Sequence, residues 1–488
     1  MAKRILFATS EVYPLIKTGG LADVSAGLPR ALQAAGHEVR VILPAYGDVI
    51  DNLEQAYSVG RFKVGDAEVE LIETILPGSD VITWLVSNKK AFARSGNPYM
   101  NDDGNPWVDN AERFHLFDKA VVELAQGRAG PSWKPDLVHC NDWQTGLIPA
   151  LLSLEPVRPA TVFTIHNLAY QGLFDFETFQ QLDLPDVFWH HETLEYFGQM
   201  SFMKGGLIYA DQLTTVSPGY AEEIQTPEFG CGLDGLLGSR SDSLTGIVNG
   251  IDMVEWNPAR DKHLVQVYGK LNLKQKLVNK TELCREFALP VDTGMPLIGM
   301  VGRLVNQKGI DLVLEELDQI VSIPAQLVIL GSGESKYENR LREAVKSHSD
   351  RISVYIGYDE GLAHRIEAGA DIFLMPSRFE PCGLNQMYSL RYGTIPVVHS
   401  IGGLADTVVT ATPENIQSGI ATGVTFYELD AEEMYAAIRH AVALYKNKAI
   451  WKQIQLAAMR QDFSWSKSAA EYSKLYYRAK DDAVMEVG

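Results

Sequence analysis

The sequence predicts an α/β fold with two doubly wound, mainly parallel sheets, and three observations predict this class. Strand-like and helix-like segments alternate along most of the 488 residues, which is the rhythm of βαβ units. The alternation pauses once, around residues 249–258, before a second series of strands begins. Several apolar runs end in segments dense with Gly, Pro and polar residues, and ligands of such folds bind beyond the carboxyl ends of the strands.

The first half of the chain contains β-branched and aromatic runs separated by helix-length segments. We expect a helix over residues 21–35 and a polar, Gly- and Pro-rich loop over residues 97–110. The predicted strands are RILFAT, EVRVIL, VELIETI, VITWLV, DLVHC, TVFTI and QLTTV.

The second half repeats this organisation after a charged segment, residues 263–287, which we expect to be helical. The predicted strands are PLIGMV, QLVIL, ISVYI, DIFLM, IPVVH and GVTF. After residue 428 the sequence pattern predicts helices to the end of the chain. The last of these helices has an apolar face that must pack against another element. That face consists of Trp465, Tyr472, Leu475 and Tyr476.

Composition restricts the class of partner. Lys and Arg total 43 and Asp and Glu total 62, so the net charge is −19, which disfavours binding to nucleic acid or to an anionic membrane. No apolar run approaches the ~18 residues of a membrane span, and the N-terminal apolar run is too short for a signal peptide. The four cysteines lack CxxC spacing, which indicates a reducing, cytoplasmic location and no zinc site.

Residues 371–409 hold the densest set of candidate functional residues. Two predicted strands flank a loop with Glu380, and Gly402 and Gly403 follow the second strand at a helix start, where bare amides can bind an anion. The GGLAD of residues 402–406 also occurs at residues 19–23. These features favour a phosphorylated or nucleotide ligand bound between two domains. A buried strand with a covering helix and no chemistry is the plain alternative.

Two cations stand at another predicted helix start. Arg303 and Lys308 follow the strand PLIGMV in a glycine-flanked loop, a place where cations are disfavoured unless an anion is present. A solvated basic pair is the alternative interpretation. Lys17 similarly lies beside Gly19 and Gly20 after the first strand, although a lone loop lysine is usually just solvated.

Four motifs together resemble one family, the bacterial glycogen synthases and plant starch synthases. They are KTGGLADV at residues 17–24, HNLAYQG at 166–172, GRLVNQKG at 302–309 and SRFEPCGLNQ at 377–386. The resemblance runs in order over residues 5 to 477. It implies the GT-B fold: two Rossmann-like domains, residues 1–250 and 251–465, facing across a cleft, with a C-terminal helix, residues 466–488, crossing back to the first.

The resemblance also implies the activity. A member of this family transfers glucose from ADP-glucose, with UDP-glucose as the alternative donor, to the non-reducing 4-hydroxyl of an α-1,4-glucan or maltooligosaccharide, with retention of anomeric configuration. No cofactor is implied. The acidic pair in NDD, residues 101–103, is the obvious metal candidate, but Arg303 and Lys308 make an ion on the diphosphate unnecessary, and we expect activity without added metal.

Residue roles come from the same resemblance. The catalytic set comprises Glu380, His166, Arg303, Lys308 and Lys17. The donor-binding set comprises Gly19, Gly20, Asp23, Asn249, Tyr358, Ser377, Cys382, Gly383, Leu384, Gly403 and Thr407. The acceptor-binding set comprises Tyr99, Asn141 and Asp142. For Asp23 a first-turn carboxylate favoured by the helix dipole is an equal alternative, and Glu380 could be either a nucleophile or a stabiliser of charge.

The sequence departs from the family and its relatives at two positions. Some members have His where this chain has Asn141. Many related transferases have a second Glu where this chain has Tyr388, and this substitution is typical of the glycogen and starch synthase branch. Two rival functions stay open. A glucan- or nucleotide-binding regulator would show no transfer of radiolabelled glucose. A glucan phosphorylase or sugar-nucleotide epimerase on the same fold is the other, and a phosphorylase would show the absorbance of bound pyridoxal phosphate.

Overall fold

The computed structural model describes residues 2–51, 53 and 55–485, so the last three residues of the predicted C-terminal segment lie outside it. The chain forms two compact units. The first runs to Gly250 and includes the C-terminal helix, Trp465–Met485, and the second is Ile251–Ser464.

The first unit is an α/β unit around a mixed sheet. Its strands β1–β12 are Arg4–Ala8, Glu38–Pro44, Tyr57–Val64, Ala67–Ile75, Ile82–Ser87, Leu137–Asn141, Ala160–Ile165, Leu173–Phe174, Glu195–Tyr196, Gln199–Ser201, Gln212–Thr215 and Leu244–Gly246. Its helices α1–α9 are Gly20–Ala34, Gly47–Asp51, Lys89–Phe92, Asn110–Ala125, Leu147–Leu152, Phe176–Gln181, Phe202–Tyr209, Pro218–Glu223 and Asp234–Ser239. Short 3₁₀ helices cover Trp143–Thr145, Asp186–Phe188 and Ser241–Ser243.

Within the described residues the main sheet of this unit has the order β12-β11-β7-β6-β1-β2-β5-β4-β3. It is parallel from β12 to β5, and β4 and β3 add an antiparallel edge. The chain winds outward from β1 on one side and from β6 on the other, so the switch point lies between these two strands. Side chains that follow β1 and β6 therefore meet at one edge of the sheet.

The second unit is a parallel α/β unit. Its strands β13–β18 are Leu297–Val301, Gln326–Gly331, Ile352–Ile356, Ile372–Met375, Ile395–His399 and Val424–Phe426. Its helices α10–α19 are Lys276–Glu286, Ile310–Glu315, Leu317–Ser322, Ser335–Ser347, Glu360–Gly369, Asn385–Tyr392, Gly402–Thr407, Pro413–Gln417, Ala431–Lys446 and Lys448–Ala458. Short 3₁₀ helices cover Leu273–Gln275 and Asn306–Lys308.

The order β15-β14-β13-β16-β17-β18 places the switch point of the second unit between β13 and β16. All its strand pairs are parallel. Its strands are apolar on both faces because one buried cluster packs on each side of the sheet. The loops after β13 and β16, which contain Lys308 and Glu380, are consequently neighbours at one edge.

Two local predictions differ from the structure. Residues 263–272 are irregular rather than helical, and α10 begins only at Lys276. Side chains hold that segment open, since the Asn279 side chain accepts from the Gln266 amide and the Asn272 side chain accepts from the Gly269 amide. Strand β3 was not predicted from the sequence, because a register shift at Gly60 interrupts its alternation of inward and outward side chains.

The C-terminal helix packs on the first unit through the predicted apolar face. Tyr472, Leu475 and Tyr476 are fully buried, and the Tyr476 hydroxyl lies 2.8 Å from Nδ1 of His139. A Cβ built on Gly27 of α1 would lie 2.0 Å from the Trp465 ring, so this close approach requires glycine there. No helix in the described ranges is long and apolar enough to cross a membrane.

Candidate active site

An ion pair joins the two loops at the switch point of the second unit. Lys308 Nζ donates to Glu380 Oε2 at 2.6 Å, and the Ser377 hydroxyl donates to the same oxygen at 3.0 Å. The Glu380 side chain is only 9% exposed, so its charge lies in a medium of lowered dielectric. Its other oxygen, Oε1, accepts no hydrogen bond from the described residues. One oxygen is thus fixed by the protein, and the other can face a ligand.

Backbone geometry holds these two loops together. Gly309 has a φ of +70°, and a Cβ there would lie 2.0 Å from the Pro376 carbonyl oxygen, so only glycine fits. The Arg378 amide donates to the Gln307 carbonyl at 2.8 Å, and its guanidinium forms two bonds with Asp311. The position of Lys308 relative to Glu380 is therefore built into the fold.

Arg303 is exposed beside this pair. Its guanidinium donates to the Gln307 side chain at 3.2 Å, and the Gln307 amide group donates to the Phe379 carbonyl at 3.3 Å. The sequence-predicted pair of cations thus occupies one rim. Arg303 faces solvent and Lys308 lies behind it against Glu380.

The second GGLAD motif, residues 402–406, lies at the same rim and contacts the loop of Glu380. The Gly403 amide donates to the Glu380 carbonyl at 3.0 Å, and a Cβ on Gly403 would lie 2.1 Å from the Cys382 carbonyl oxygen. The Gln386 amide group donates to the Cys382 carbonyl and to the Thr407 hydroxyl. The structure therefore brings together most of the predicted donor-binding residues of this unit. They are Ser377, Cys382, Gly383, Leu384, Gly403 and Thr407.

Tyr358 stands apart from that cluster, in the loop after β15, with 77% of its surface exposed. Its hydroxyl donates to Glu360. An aromatic face this open has room to stack on a planar ligand.

Tyr388, which occupies the position of the second Glu in related transferases, is buried. Its ring stacks on Trp256 at 3.7 Å, and the opposite face of Trp256 stacks on His364 at 3.7 Å. His364 Nδ1 lies 2.7 Å from Asp261. The tyrosine thus packs residues 251–261 against the rest of the second unit.

Glu11, which is not among the site residues predicted from the sequence, organises the switch point of the first unit. Its buried carboxylate accepts from the Thr18 amide and hydroxyl, both at 2.5 Å, from the Gly19 amide at 3.2 Å and from the Tyr99 hydroxyl at 2.5 Å. Four donors on one carboxylate fix the loop that carries Lys17. A polar residue directly after the first strand of a switch point was the available signal.

The predicted residues of that loop are close together. Lys17 Nζ lies 3.0 Å from Asp23 Oδ1 in the first turn of α1, which begins at Gly20. A Cβ on Gly19 would meet nothing within 4 Å, so the space beside this amide is open to a ligand. The Tyr99 hydroxyl also bonds Ser10 at 2.8 Å, and burial raises the pKa of Tyr99 well above its usual value.

His166 follows β7 and is neutral. Burial lowers its pKa to about 3, and its Nε2 lies 3.0 Å from Asn141 Oδ1. Because the Asn141 amide group donates to the Ala8 carbonyl, its oxygen must accept from His166, which leaves Nδ1 as the acceptor of the ring. Asn141 itself is fully buried, so the structure gives it the task of orienting His166. Its contact with an acceptor stays a prediction.

Asp142 follows β6 in a strained backbone conformation, with φ of +62° and ψ of +179°, a region almost restricted to glycine. Burial raises the pKa of its carboxyl group to about 8, with a smaller contribution from the charge of Glu11. Its Oδ1 is buried without a hydrogen-bond partner. Backbone strain and an unsatisfied buried oxygen at one residue indicate a ligand contact.

Asn249, near the end of the first unit, repeats part of this pattern because its buried side-chain oxygen also lacks a partner.

The candidate metal loop, residues 101–103, does not show this pattern. Asp102 accepts from Ser95, and the acidic pair in residues 101–103 is exposed. In the described ranges, the one group of three ligand-type side chains with donor atoms within 4.8 Å is the exposed set His190, His191 and Glu192.

Comparisons with known proteins identify the family of this chain. A family model of the starch synthase catalytic domain matches residues 4–239, and one of glycosyl transferases group 1 matches residues 285–455. Glycogen synthase 1 of Methylococcus capsulatus is 55% identical over 476 residues, which are 98% of this chain and 96% of that protein. Glycogen synthase of Cellvibrio japonicus is 56% identical over 474 residues, which are 97% of this chain and 98% of that protein.

A solved structure is also similar. The catalytic domain of starch synthase IV from Arabidopsis thaliana, bound to ADP and acarbose, has a TM-score of 0.88 at 32% identity, covering 99% of this chain and 100% of that one. This similarity confirms the predicted α/β fold of GT-B class. The chain belongs to the family of glycogen and starch synthases, and it is a glycosyltransferase.

Proposed function

We propose that this protein transfers glucose from ADP-glucose to the non-reducing 4-hydroxyl of an α-1,4-glucan, with retention of anomeric configuration. The observation that carries the proposal is the Lys308–Glu380 pair at the switch point of the second unit, flanked by Arg303 and by the glycine-rich start of α16. This combination offers a carboxylate and an anion-binding rim in one place.

Breaking the bond between glucose and a diphosphate builds negative charge on the leaving phosphate. Arg303 and Lys308 would stabilise that charge. This is the reason that two cations can occupy a loop leading into a helix start, where they are otherwise disfavoured. We assign the donor diphosphate to this rim.

The same bond cleavage builds positive charge at the anomeric carbon of the glucose. Glu380 would stabilise it through Oε1, the oxygen that Lys308 and Ser377 leave uncovered. A buried, oriented carboxylate needs no reorganisation as this charge develops, which makes its contribution large.

The first unit would bind mainly the sugars, and one of its cations would reach the donor phosphates. His166 is an uncharged ring with Nδ1 as acceptor, and Asp142, with a pKa of about 8, is protonated near neutral pH and can donate a hydrogen bond. Both suit sugar hydroxyls. Lys17, on the loop fixed by Glu11, would contact the donor phosphates, and Asn249, Asp142 and Tyr99 would lie beside the sugars.

ADP-glucose is the proposed donor for two reasons. The starch synthase IV structure that this chain resembles is bound to ADP. The exposed ring of Tyr358 follows β15, at the edge of the sheet where α/β folds bind nucleotides, and it is suited to stack on adenine.

The test is initial-rate measurement with radiolabelled ADP-glucose and UDP-glucose on glycogen and maltotriose, with proton NMR of the new anomeric linkage. We expect faster transfer from ADP-glucose and an α-linkage in the product. Glu380→Gln is the matched inactive control. Absence of transfer from both donors would contradict the function, and a β-linkage would contradict retention.

A further inference from the structure

A β-hairpin in the first unit carries an aromatic residue at a costly position. Strands β9 and β10 pair with Gln199 opposite Tyr196, so the loop between them is Phe197 and Gly198. Their φ values are +49° and +79°, which makes the turn type I′. This turn favours Asn, Asp or Gly at its first position, because a residue with a bulky side chain is strained there.

The fold gains little from the Phe197 ring. Its surface is 83% exposed, and its aromatic neighbour is Tyr196, edge-on at 4.7 Å. The hairpin is anchored without it, because the Tyr196 hydroxyl donates to the Cys231 carbonyl and the Glu195 side chain accepts from the Gly198 amide. A strained backbone and a solvent-exposed ring at one residue point to a ligand.

The hairpin is continuous with the candidate active site. Strand β10 pairs with β8, which directly follows the loop that begins at His166. Phe174 of β8 packs its ring 6.1 Å from Trp143, the neighbour of Asp142. A Cβ on Gly172 would lie 2.3 Å from the Trp143 ring, so the start of β8 is pressed against that residue. The hairpin is thus fixed to the strand ends that carry His166 and Asp142.

The surroundings of the ring favour a neutral ligand. Residues 190–203 contain no Lys or Arg, and Lys204 is turned inward, where its Nζ donates to the carbonyls of His191 and Glu195. The hairpin itself therefore offers no Lys or Arg side chain to an anionic ligand. Exposed polar groups such as Gln199 and His190 can bond hydroxyls beside an apolar ring face, the combination that a pyranose with its CH face and hydroxyl rim requires.

We infer that Phe197 is a binding platform for the glucan acceptor, on which a glucose unit several residues from the reacting end stacks. The inference rests on the proposed function, and it adds a site that would select long acceptors over short ones.

Phe197→Asn tests the inference because it removes the ring while giving the turn its preferred Asn-Gly sequence. We expect the melting temperature to stay equal or rise. The KM for glycogen should rise about fivefold, as for loss of one partly covered aromatic ring. The KM for the donor and the kinetic constants with maltotriose should not change, since the inference places the hairpin several glucose units from the reacting end.

Two controls sharpen this experiment. Phe197→Trp keeps an aromatic face in the same turn and should retain the KM for glycogen. Tyr57→Asn removes an aromatic side chain of comparable exposure, 62%, from the edge strand β3. This variant should leave the KM for glycogen unchanged. Native gel electrophoresis in glycogen-containing gels gives the binding constant without turnover, and Phe197→Asn should be retarded less than wild type.

An equal KM for glycogen in wild type and Phe197→Asn would overturn the inference, as would a change in oligomeric state that accounts for the altered KM. These outcomes are separable from failure of the proposed function. Transfer by wild type to maltotriose tests the function, whereas the ratio of glycogen to maltotriose efficiency, compared between variants, tests the hairpin.

Discussion

The two switch points of this protein have opposite electrostatic character. That of the second unit is charged, with the Lys308–Glu380 ion pair, the exposed Arg303, and Arg378 bound to Asp311. In the first unit the buried His166 and Asp142 are neutral near pH 7, because burial takes the pKa of His166 to about 3 and that of Asp142 to about 8, and the buried carboxylate of Glu11 is covered by four hydrogen-bond donors. One fold type thus supplies two environments. The charged one suits a diphosphate, and the neutral one suits sugar hydroxyls.

The largest effect should come from neutralising the charged switch point. Glu380→Gln keeps the size of the side chain but removes its charge, so turnover should fall by about 10² to 10⁴ while the KM for the donor changes little. Single-turnover rates with radiolabelled donor measure this loss. Ser377→Ala, which removes one hydrogen bond to the same oxygen, is the milder control. Near-normal turnover of Glu380→Gln would show that the ion pair is structural.

The second prediction concerns the neutral switch point and the pKa of Asp142. The folded state keeps a proton on Asp142 up to about pH 8, whereas the unfolded chain releases it near pH 4. Stability is therefore lost as pH rises from about 4 to 8, at most by about 1.4 kcal/mol per pH unit. Asp142→Asn does not titrate and keeps the size of the side chain, so both proteins carry the same backbone strain. Its stability relative to wild type should increase by up to about 4 kcal/mol between pH 5 and pH 8.

Differential scanning calorimetry of both proteins at pH 5 and pH 8 measures this difference. His166→Gln serves as a control of opposite sign. The His166 ring stays neutral in the folded state, with a pKa of about 3, but is protonated in the unfolded chain below about pH 6.5, so the stability of this variant relative to wild type should fall between pH 5 and pH 8. A difference between Asp142→Asn and wild type that is independent of pH would mean that Asp142 is charged, and the contrast between the switch points would fail.

The third prediction tests whether Glu11 positions the Lys17 loop. In Glu11→Gln one oxygen becomes an NH₂ group that faces donors, so the loop should shift and kcat/KM for the donor should fall about tenfold. Tyr99→Phe removes one of the four donors and leaves the loop bound, so its loss should be about threefold. Equal losses in the two variants, or a loss explained by lower melting temperature, would argue against a positioning role.

Much of the fold was predictable because parallel strands buried on both faces are continuous apolar runs. IPVVH and TVFTI are visible in the sequence for that reason, and in the structure they are β17 and most of β7. The prediction of a helix over residues 263–272 was wrong. Their charged sequence is typical of a helix, but hydrogen bonds to the side chains of Asn279 and Asn272 decide their conformation. Local patterns do not encode such contacts.

The site was predictable in its charged part and less so in its neutral part. Lys308 and Glu380 stand in loops whose composition indicates chemistry, although their contact spans 72 positions of sequence. Glu11 was missed because its role depends on Tyr99, 88 positions away. The strain at Asp142 and the neutral state of His166 follow from burial, which no short motif expresses.

The smallest expected effect is that of chelation. If the cations Arg303 and Lys308 replace a divalent ion on the diphosphate, kcat and KM should be the same with and without EDTA. A metal-dependent enzyme would instead place carboxylates beside the phosphates, whereas here Glu380 is held by Lys308 and Asp311 by Arg378. Turnover that is lost in EDTA and restored by magnesium would show that the charged switch point is incomplete without an ion. Unchanged turnover together with a large loss in Lys308→Met would assign the phosphate charge to the protein alone.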